Sequence, residues 1–534
     1  MVWTWIKTAC IDAWPSSSPL IRVSAALIIP AVVLFAVFFL SDPNRGKYPT
    51  LNDWRPFELS STRVKKNFIA NGRRLLRQGL KDFHGKPFRI ITDHGPVLIL
   101  PPSYTQELRN VDDLSHVRAI SEIVDAKIPG FEAFYEFSYG GNIIQDVVKA
   151  KITPALNTLS EPLSEETSMA LEAHFGSSTG KFDGRTLRIC ADVTTDWHAI
   201  PLHSTLLQAV ARVSSRLFLG DELCRNPDWL RITTTYTHHI SKAILDLKIW
   251  PAFMRPLVIR FVPHGRALIE LVHEAEELMG KVLKERQTLK LEGNSPEYID
   301  SIEWFQQVAK GRKYNPVHVQ LTLSFVAIHT TADMLTQVMF DLAQHPEYIE
   351  PLRQEAIAVL RENGWSKMSL YNLKLMDSVL KEVQRLRPIN DTSLQRLALE
   401  DVKLADGTSL PRGTLLAVAS TRHWDSEVYP EPEKFDGYRF LKLRQDQDKQ
   451  NTAQFVSTSQ DHLGFGHGQH ACPGRFFASN EIKIILCHVL LKYDWRLIKG
   501  QEPKIIVHGF NLIADPRSSL DIRRRKEEFT IDDL

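Results

Sequence analysis

The stretch that decides the fold lies near the C-terminus and reads Phe465-Gly466-His467-Gly468-Gln469-His470-Ala471-Cys472-Pro473-Gly474-Arg475. It sets one cysteine in a glycine-rich loop, and a helix-like pattern begins directly afterwards at Arg475. Small residues let a backbone approach a flat cofactor closely, because no bulky side chain stands between them. A Cys472 thiolate in this loop would face the N-terminus of the following helix, where backbone N–H groups stabilise negative charge. The stretch therefore favours a thiolate ligand to haem iron.

Two other interpretations of the loop stay open at this point. A cysteine inside a cell is most often a small buried hydrophobic residue, and glycine with proline is typical of an ordinary turn. His467, His470 and Cys472 are also residue types that bind zinc. Structural zinc sites, however, usually contain paired spacings such as C-x₂-C, and no second pair lies nearby.

The spacing Phe465-x-x-Gly468-x-His470-x-Cys472-x-Gly474 resembles the haem-binding loop of the cytochrome P-450 monooxygenases. The resemblance extends over about residues 50–534 and is strongest from Pro316 onward. It implies the cytochrome P-450 fold, mainly α with small β-sheets (α+β), in one large helical domain. It also implies haem b as the cofactor, with Cys472 as the axial ligand of the iron. The residues implied to lie beside the porphyrin are Phe465, Gly466, His470 and Gly474.

The most readable helix is predicted over Pro316–Gln344, between Asn315 and the helix-stopping pair His345-Pro346. Its 29 residues would be roughly 43 Å long, which is enough to cross a whole domain. Three polar residues, His329-Thr330-Thr331, interrupt an apolar run in its middle. A threonine in a buried helix commonly donates its hydroxyl to a carbonyl of the preceding turn, so the helix alone favours that interpretation.

The segment Val326-Ala327-Ile328-His329-Thr330-Thr331 resembles the oxygen-activation motif of the same family. The resemblance implies that Thr330 steers protons to bound oxygen, with Thr331 as the alternative if the alignment shifts by one residue. Two departures are present, because Ala327 replaces a glycine and His329 replaces an acid. A histidine with an ordinary pKa of about 6.5 can still relay protons at neutral pH, so His329 is expected to be catalytic together with Thr330.

A second helix, ended by Pro388, contains Glu382 and Arg385 three residues apart. Helical periodicity places Arg385 away from the apolar stripe, which favours a solvated ion pair worth about 0.2–0.5 kcal/mol. Glu382-x-x-Arg385 nevertheless resembles the E-x-x-R motif of the family, and Arg439 resembles its third partner, although Tyr438 departs from the usual proline. The resemblance implies that these three residues form a buried structural cluster that braces the cysteine loop.

Three basic residues are candidates for pairing with the haem propionates. The resemblance implies Arg396, which precedes a predicted hairpin over 402–419, and His470, and Lys149 is a weaker third candidate. An arginine suits a carboxylate because its N–H donors form a planar fork. A phosphate-binding or surface role is the alternative for Arg396.

The chain has 534 residues and a net charge of +2, which gives no reason to expect a nucleic-acid partner. No linker, charge block or internal repeat divides it, so one large α-rich catalytic domain is expected over 61–534. A small hairpin is predicted from Arg89–Thr92 and Val97–Leu100 around residues 93–96. The cysteines are Cys10, Cys190, Cys224, Cys472 and Cys487. Their odd number and scattered spacing indicate a reducing compartment and no disulfide framework.

An uncharged apolar stretch over 23–40 is long enough to span a bilayer as a helix, despite Pro30. A cleaved signal peptide is the alternative, but this apolar core is long and Ser41-Asp42-Pro43-Asn44 offers no small-x-small cleavage site. More Lys and Arg residues follow the stretch than precede it, so the positive-inside rule places the remaining chain in the cytoplasm. Tyr48-Pro49-x-Leu51 resembles the hinge that follows the endoplasmic-reticulum anchor in eukaryotic family members.

The expected organisation is a single-pass protein of the endoplasmic-reticulum membrane with its catalytic domain in the cytoplasm. Its segments are a short lumenal N-terminus (1–22), a transmembrane anchor (23–40), a hinge (41–60) and the catalytic domain (61–534).

The resemblance as a whole implies a membrane-anchored haem-thiolate monooxygenase of the eukaryotic microsomal type. It would insert one oxygen atom of O₂ into a lipophilic small molecule, with electrons from NADPH delivered by a flavoprotein NADPH-cytochrome reductase. The loop style Gly-His-Gly-Gln-His at 466–470 resembles fungal secondary-metabolism members, especially those that oxidise terpenoids or polyketides. Two alternatives stay open, namely a haem-thiolate isomerase or peroxygenase without a reductase, and a non-catalytic haem or lipid sensor on the membrane.

Overall fold

The computed structural model describes residues 44, 46–55, 58, 61–176, 196–248 and 250–534. The predicted lumenal segment (1–22), the predicted anchor (23–40) and part of the predicted hinge (41–60) lie outside these residues, so the domain boundaries stay predictions. None of the helices in the described part of the chain is both long and apolar enough to cross a membrane.

Helices make up most of the described chain, which confirms the predicted α-rich class. Numbered in chain order, they are α1 Thr62–Asp82, α2 Thr105–Leu108, α3 His116–Val124, α4 Glu132–Tyr139, α5 Ile143–Val147, α6 Thr153–Phe175, α7 Leu202–Leu223, α8 Pro227–Lys248, α9 Arg255–Val258, α10 Pro263–Leu291, α11 Ser301–Ala309, α12 Pro316–Gln344, α13 Ile349–Asn363, α14 Lys367–Asn372, α15 Lys374–Leu386, α16 Arg439–Leu443 and α17 Arg475–Lys492. A π-helical turn over Val148–Ile152 joins α5 to α6.

The strands form small sheets, also as predicted. They are β1 Phe88–Ile91, β2 Pro96–Leu100, β3 Leu114–Ser115, β4 His198–Pro201, β5 Thr392–Ala398, β6 Val402–Lys403, β7 Ser409–Leu410, β8 Leu415–Ala419, β9 Tyr493–Leu497, β10 Ile505–His508, β11 Asn511–Ala514 and β12 Ser519–Arg524. The largest sheet in the described chain has the order β1-β2-β8-β5-β3. Strands β4, β12 and β9 form a second sheet, and β10-β11 and β6-β7 form two-stranded ribbons.

The long predicted helix is confirmed, because α12 begins at Pro316 and ends at Gln344. The Asn315 side-chain oxygen accepts from the backbone N–H groups of Val317 and His318, at 2.9 and 3.3 Å, and caps the first turn. Proline fits the first turn since it has no N–H to leave unpaired. Most of the helix is buried in the main hydrophobic core, so α12 crosses the interior of the protein.

The first predicted hairpin is confirmed, and the second is only partly correct. Strands β1 and β2 pair antiparallel, with Arg89 opposite Leu98. Over 402–419 the turn joins only β6 to β7, and β8 leaves this hairpin. Strand β8 instead pairs parallel with β2 and antiparallel with β5, because the main sheet buries its apolar side chains. Arg396 lies on β5 in this sheet.

Candidate active site

The cysteine loop runs from Phe465 through a short 3₁₀ turn at Gly468–His470 to the start of α17. The Cys472 N–H donates to the Phe465 carbonyl oxygen at 2.8 Å, which closes the loop on itself. Gly468 has φ +77°, and a β-carbon there would lie 2.3 Å from the Arg109 carbonyl oxygen. Glycine therefore fits at this point of the loop where other residues would clash.

The sulfur of Cys472 lies at the N-terminus of α17, and Cys472 is not in a disulfide. The backbone N–H groups of Gly474 and Arg475 point to the sulfur, and Arg475 Nη1 donates to the Cys472 carbonyl oxygen at 2.9 Å. Burial raises the pKa of the Cys472 thiol, whereas these N–H groups and the Arg475 guanidinium act to lower it. The same donors would stabilise a metal-bound thiolate. The role of Cys472 as iron ligand stays a prediction.

The loop does not form the alternative zinc site. His467 Nδ1 lies 3.1 Å from Thr458 Oγ1, and His467 Nε2 lies 3.4 Å from Arg109 Nη1. Across the residues that the structure describes, no group of three or more His, Cys, Asp or Glu side chains could hold a metal ion. The histidines of the loop therefore serve other contacts.

Phe465, Gly466 and Gly474 lie in the same loop. The Phe465 ring is half-buried, with its centroid 5.1 Å from that of the fully buried Phe455. Gly466 has φ +69°, and a β-carbon at Gly474 would meet nothing within 4 Å, so the backbone there faces open space. This leaves room for a flat group over the loop, while contact of these residues with a porphyrin stays a prediction.

The candidates for the propionates form a group of nitrogen donors near the loop. Arg396 is 2% exposed, its Nη1 donates to the Gln395 carbonyl oxygen at 2.9 Å, and its Nε has no partner among the described residues. The ring centroids of His116 and His470 lie 6.4 Å apart. Burial, and then the charge of Arg396, lowers the pKa of each ring to about 4, and burial lowers the pKa of Arg396 to about 10.

This group of donors fits the acidic edge of haem. A buried guanidinium with an unused donor is costly unless an anion pairs with it. Lys149 is exposed. Its charge helps to lower the pKa of His470, and the weaker effect of Asp112 raises that pKa. His116 was not among the predicted site residues, because a lone histidine at the start of a helix carries no distinguishing pattern.

Glu382, Arg385 and Arg439 meet in the protein interior, and we call them the Glu382 cluster. Glu382 and Arg385 are fully buried, and Arg439 is 8% exposed. Arg385 Nε and Nη2 each donate to one carboxylate oxygen of Glu382 at 2.8 Å, and Arg439 Nε lies 3.1 Å from both oxygens. The solvated pair favoured by periodicity is therefore wrong.

The arginines of the Glu382 cluster also hold the chain that follows β8. Arg385 Nη1 donates to the carbonyl oxygens of His423 and Pro432, at 2.6 and 2.7 Å. The carbonyl oxygens that accept from Arg439 belong to Pro430, Glu431 and Lys434. The cluster therefore crosslinks α15 to residues 423–439, and its effect on the cysteine loop stays a prediction.

A buried lysine lies next to the Glu382 cluster and was not predicted from the sequence. Lys381 is 1% exposed, and burial lowers its pKa to about 7. Its Nζ donates to the carbonyl oxygens of Thr452, Gln454 and Ser457 at 2.7–2.9 Å. These contacts fasten α15 to the chain just before the cysteine loop. No sequence signal marks Lys381, because a lysine on an amphipathic helix is typical of a solvated face.

His423 and His462 pack beside Lys381, and we call them the buried histidine pair. Their ring centroids lie 5.1 Å apart, and His423 Nε2 accepts from the Leu463 N–H at 2.9 Å. Burial lowers the pKa of His423 to about 3 and that of His462 well below its usual value. The charges of Lys381 and Arg385 act in the same direction. Both rings are therefore neutral in the folded protein at pH 7.

Thr330 is exposed in the middle of α12, as is Val326 one turn earlier, whereas Thr331 is buried. Thr330 Oγ1 donates to the Val326 carbonyl oxygen at 2.9 Å, and the Ala327 carbonyl oxygen lies at 3.4 Å. Bonding to the preceding turn is thus observed, and it leaves the lone pairs of the hydroxyl free to accept. Thr330 is the accessible one of the two candidate threonines, and its catalytic role stays a prediction.

His329 is half-buried, and its Nε2 has no hydrogen-bond partner within the described chain. Burial lowers the pKa of His329 to about 4, the charges of His203 and His238 act in the same direction, and the Thr233 carbonyl opposes them. The ring is therefore neutral at pH 7 instead of titrating near its ordinary pKa. It can take up and release a proton in turn, but it does not carry a standing positive charge.

The model of one protein family, described as Cytochrome P450, matches residues 195–521. Cytochrome P450 monooxygenase hepE of Aspergillus oryzae is 43% identical to this chain over 506 residues, which cover 93% of this chain and 89% of the relative. Cytochrome P450 monooxygenase 1 of Gibberella fujikuroi is 46% identical over 455 residues, which cover 84% of this chain and 99% of the relative.

The fold is also similar to a solved structure, described as retinoic acid bound cyanobacterial CYP120A1. The TM-score is 0.62, and the match covers 86% of this chain and 96% of that chain. Sequence identity is 19%, so this similarity supports the fold and nothing finer.

Proposed function

Because this chain belongs to the cytochrome P450 family, we propose that it is a membrane-anchored haem-thiolate monooxygenase that oxidises a lipophilic secondary metabolite. Family membership makes it a monooxygenase and implies a haem cofactor. The observation that carries the haem-thiolate assignment is the Cys472 sulfur at the N-terminus of α17, with the backbone N–H groups of Gly474 and Arg475 pointing to it. These donors offset part of the cost of burying a thiolate.

The residues that would hold haem b surround this sulfur. Cys472 would hold the iron through its thiolate, and Phe465 with the loop glycines would lie against the porphyrin. Arg396 and His470 would pair with the propionates, and Lys149 is the exposed third candidate. When bound, haem supplies the activation of O₂, so that one oxygen atom enters an unactivated C–H bond and the other becomes water.

The protein's own contribution is to hold groups and move protons on α12. Thr330 Oγ1 already donates its proton to the Val326 carbonyl oxygen, so it can accept a hydrogen bond from a water. His329 is neutral and has one free ring nitrogen, which suits a group that passes a proton on without storing it. We assign Thr330 as the positioning hydroxyl and His329 as the proton carrier behind it.

Exposed apolar side chains support contact with a membrane. Phe253, Leu257 and Phe261 are 76%, 61% and 73% exposed, and all lie between α8 and α10. The exposed Arg260 lies among them. Aromatic and aliphatic side chains next to a cation are typical of segments that enter a lipid interface. Together with the predicted anchor (23–40), they support the proposed location of the catalytic domain on the cytoplasmic face of the endoplasmic reticulum.

The membrane location favours a lipophilic substrate, and the resemblance of the loop at 466–470 to fungal secondary-metabolism members favours a terpenoid or polyketide-like one. NADPH would supply two electrons for each O₂ through a flavoprotein NADPH-cytochrome reductase.

The proposal is tested with the full chain and a reductase in lipid vesicles, supplied with NADPH, isotopically labelled O₂ and a panel of terpenoids and polyketides. We expect product with one labelled oxygen atom, and only when both reductase and NADPH are present. Product formed from hydrogen peroxide, with none formed from O₂, NADPH and reductase, would indicate the peroxygenase alternative. Tight binding of panel compounds without any NADPH-dependent O₂ consumption would indicate a sensor. Either result would contradict the proposal.

A further inference from the structure

Three histidines that the proposed function does not use lie between two helices. His238 and His239 are on α8, and His264 is in the first turn of α10. Their ring centroids lie 5.6 Å apart for His238 and His239, 6.0 Å for His238 and His264, and 5.4 Å for His239 and His264. We call them the interhelical histidines.

Two of these rings present the same kind of nitrogen to each other. His239 Nδ1 lies 3.2 Å from His264 Nδ1, and both rings are half-buried, whereas His238 is exposed. A contact between two ring nitrogens is favourable if one carries a proton and the other accepts it, or if both bind one cation. Burial and the charges of His238 and His264 lower the pKa of His239, which keeps its ring neutral and able to act as a ligand.

The spacing of the rings agrees with the geometry of a transition-metal site. Two imidazole nitrogens bound to one tetrahedral Zn²⁺ at about 2.05 Å are about 3.3 Å apart, and their ring centroids are about 5.2 Å apart. The observed 3.2 Å between nitrogens and 5.4–6.0 Å between centroids lie within 1 Å of these values. No third ligand is already in place within the described chain.

We propose that His239 and His264 form a binding site for a divalent transition metal, Zn²⁺ or Cu²⁺, that bridges α8 and α10. Water completes the coordination shell, and the exposed His238 joins as a third ligand after rotation of its side chain. Imidazole is a ligand that both metals favour.

The site joins the interior of α8 to the first turn of α10, so the chain between its two ligands includes the exposed apolar segment, residues 250–262. A metal that joins α8 to α10 there closes this segment into a loop and restricts its opening. The proposal does not depend on the chemistry at Cys472, so its failure would leave the proposed function untouched.

The direct test is calorimetric titration of Zn²⁺ alone into the purified full-length protein with its cofactor bound. We expect one site that weakens at least tenfold in His239→Gln and in His264→Gln, and less in His238→Gln. The matched control is His273→Gln, because His273 lies on the same helix α10 with 71% of its side chain exposed and pairs with Glu277. This control should bind Zn²⁺ as the wild type does. Equal Zn²⁺ affinity in the wild type and the His239/His264 double variant would overturn the site.

Limited trypsin digestion tests the bridge itself, because Arg260 lies in the segment that the metal would close and is followed by Phe261, which leaves its peptide bond cleavable. Zn²⁺ should slow cleavage after Arg260 in the wild type and not in the double variant. Zn²⁺ binding without such protection would overturn the bridging of α8 and α10.

Discussion

Replacing Glu382 with leucine should leave two buried cations, Arg385 and Arg439, without their anionic partner. The carboxylate of Glu382 accepts from Arg385 Nε and Nη2, from Arg439 Nε and from the Asp436 N–H, at 2.8–3.1 Å. Leucine keeps a similar volume but accepts nothing, so these donors lose their partner in a site with no solvent access. Breaking a buried ion pair in this way costs roughly 3–5 kcal/mol, a large fraction of the 5–15 kcal/mol that stabilises a typical domain.

The matched control is Glu350→Leu, because Glu350 and Arg353 also form an i, i+3 pair, 3.8 Å apart, but with 60% of the glutamate side chain exposed. That change should cost no more than about 0.5 kcal/mol. Urea unfolding would be followed both by far-UV circular dichroism and by haem absorbance, because loss of cofactor and loss of helix can occur separately. We expect the Glu382 variant to release haem at much lower urea than the control. Equal midpoints for the two variants would refute the buried-cluster reasoning.

Three further predictions concern acid stability, the C-terminus and proton delivery. The buried histidine pair is neutral in the folded protein, but both rings gain protons below about pH 6.5 in the unfolded chain. The stability that the neutral pair contributes is therefore complete above that pH and is lost as the pH falls, by up to about 1.4 kcal/mol per pH unit for each ring. A melting temperature that does not change between pH 7 and 5 would contradict this prediction. Lys492 is fully buried and donates to Asp532 and Ser168, so Asp532→Asn should lower the free energy of unfolding by roughly 1–3 kcal/mol, whereas Asp533→Asn should leave it unchanged in urea titrations. Thr330→Ala should raise hydrogen peroxide release relative to product, whereas Thr331→Ala should not, and unchanged coupling in the Thr330 variant would contradict its assignment.

Local sequence signals were sufficient where the structure is decided by neighbours along the chain. Both ends of α12 follow from Asn315-Pro316 and His345-Pro346, since capping and proline geometry act within one turn. The hairpin of β1 and β2 likewise follows from polar turn residues between two apolar runs.

Sequence signals failed where contacts between distant segments of the chain determine the structure. Periodicity marked Arg385 as solvated, yet carbonyls 38 and 47 residues further along accept from it, so it is buried. Lys381 is buried for the same reason, because its partners lie 71–76 residues away. Strand β8 left its predicted hairpin to join β2 and β5. Only the family resemblance brought Glu382 and Arg439 together before the structure did.

The bond between the Cys472 sulfur and haem iron is the central claim, and the absorption spectrum of the reduced, CO-treated protein tests it most directly. We expect the red-shifted Soret band that is characteristic of thiolate ligation, and we expect Cys472→Ser to abolish it. Cys224→Ser is the matched control, because a serine hydroxyl can replace the thiol that donates to the Asp221 carbonyl oxygen at 3.2 Å; it should keep the band. A colourless wild-type protein, or a red-shifted Soret band that survives in Cys472→Ser, would contradict the assignment.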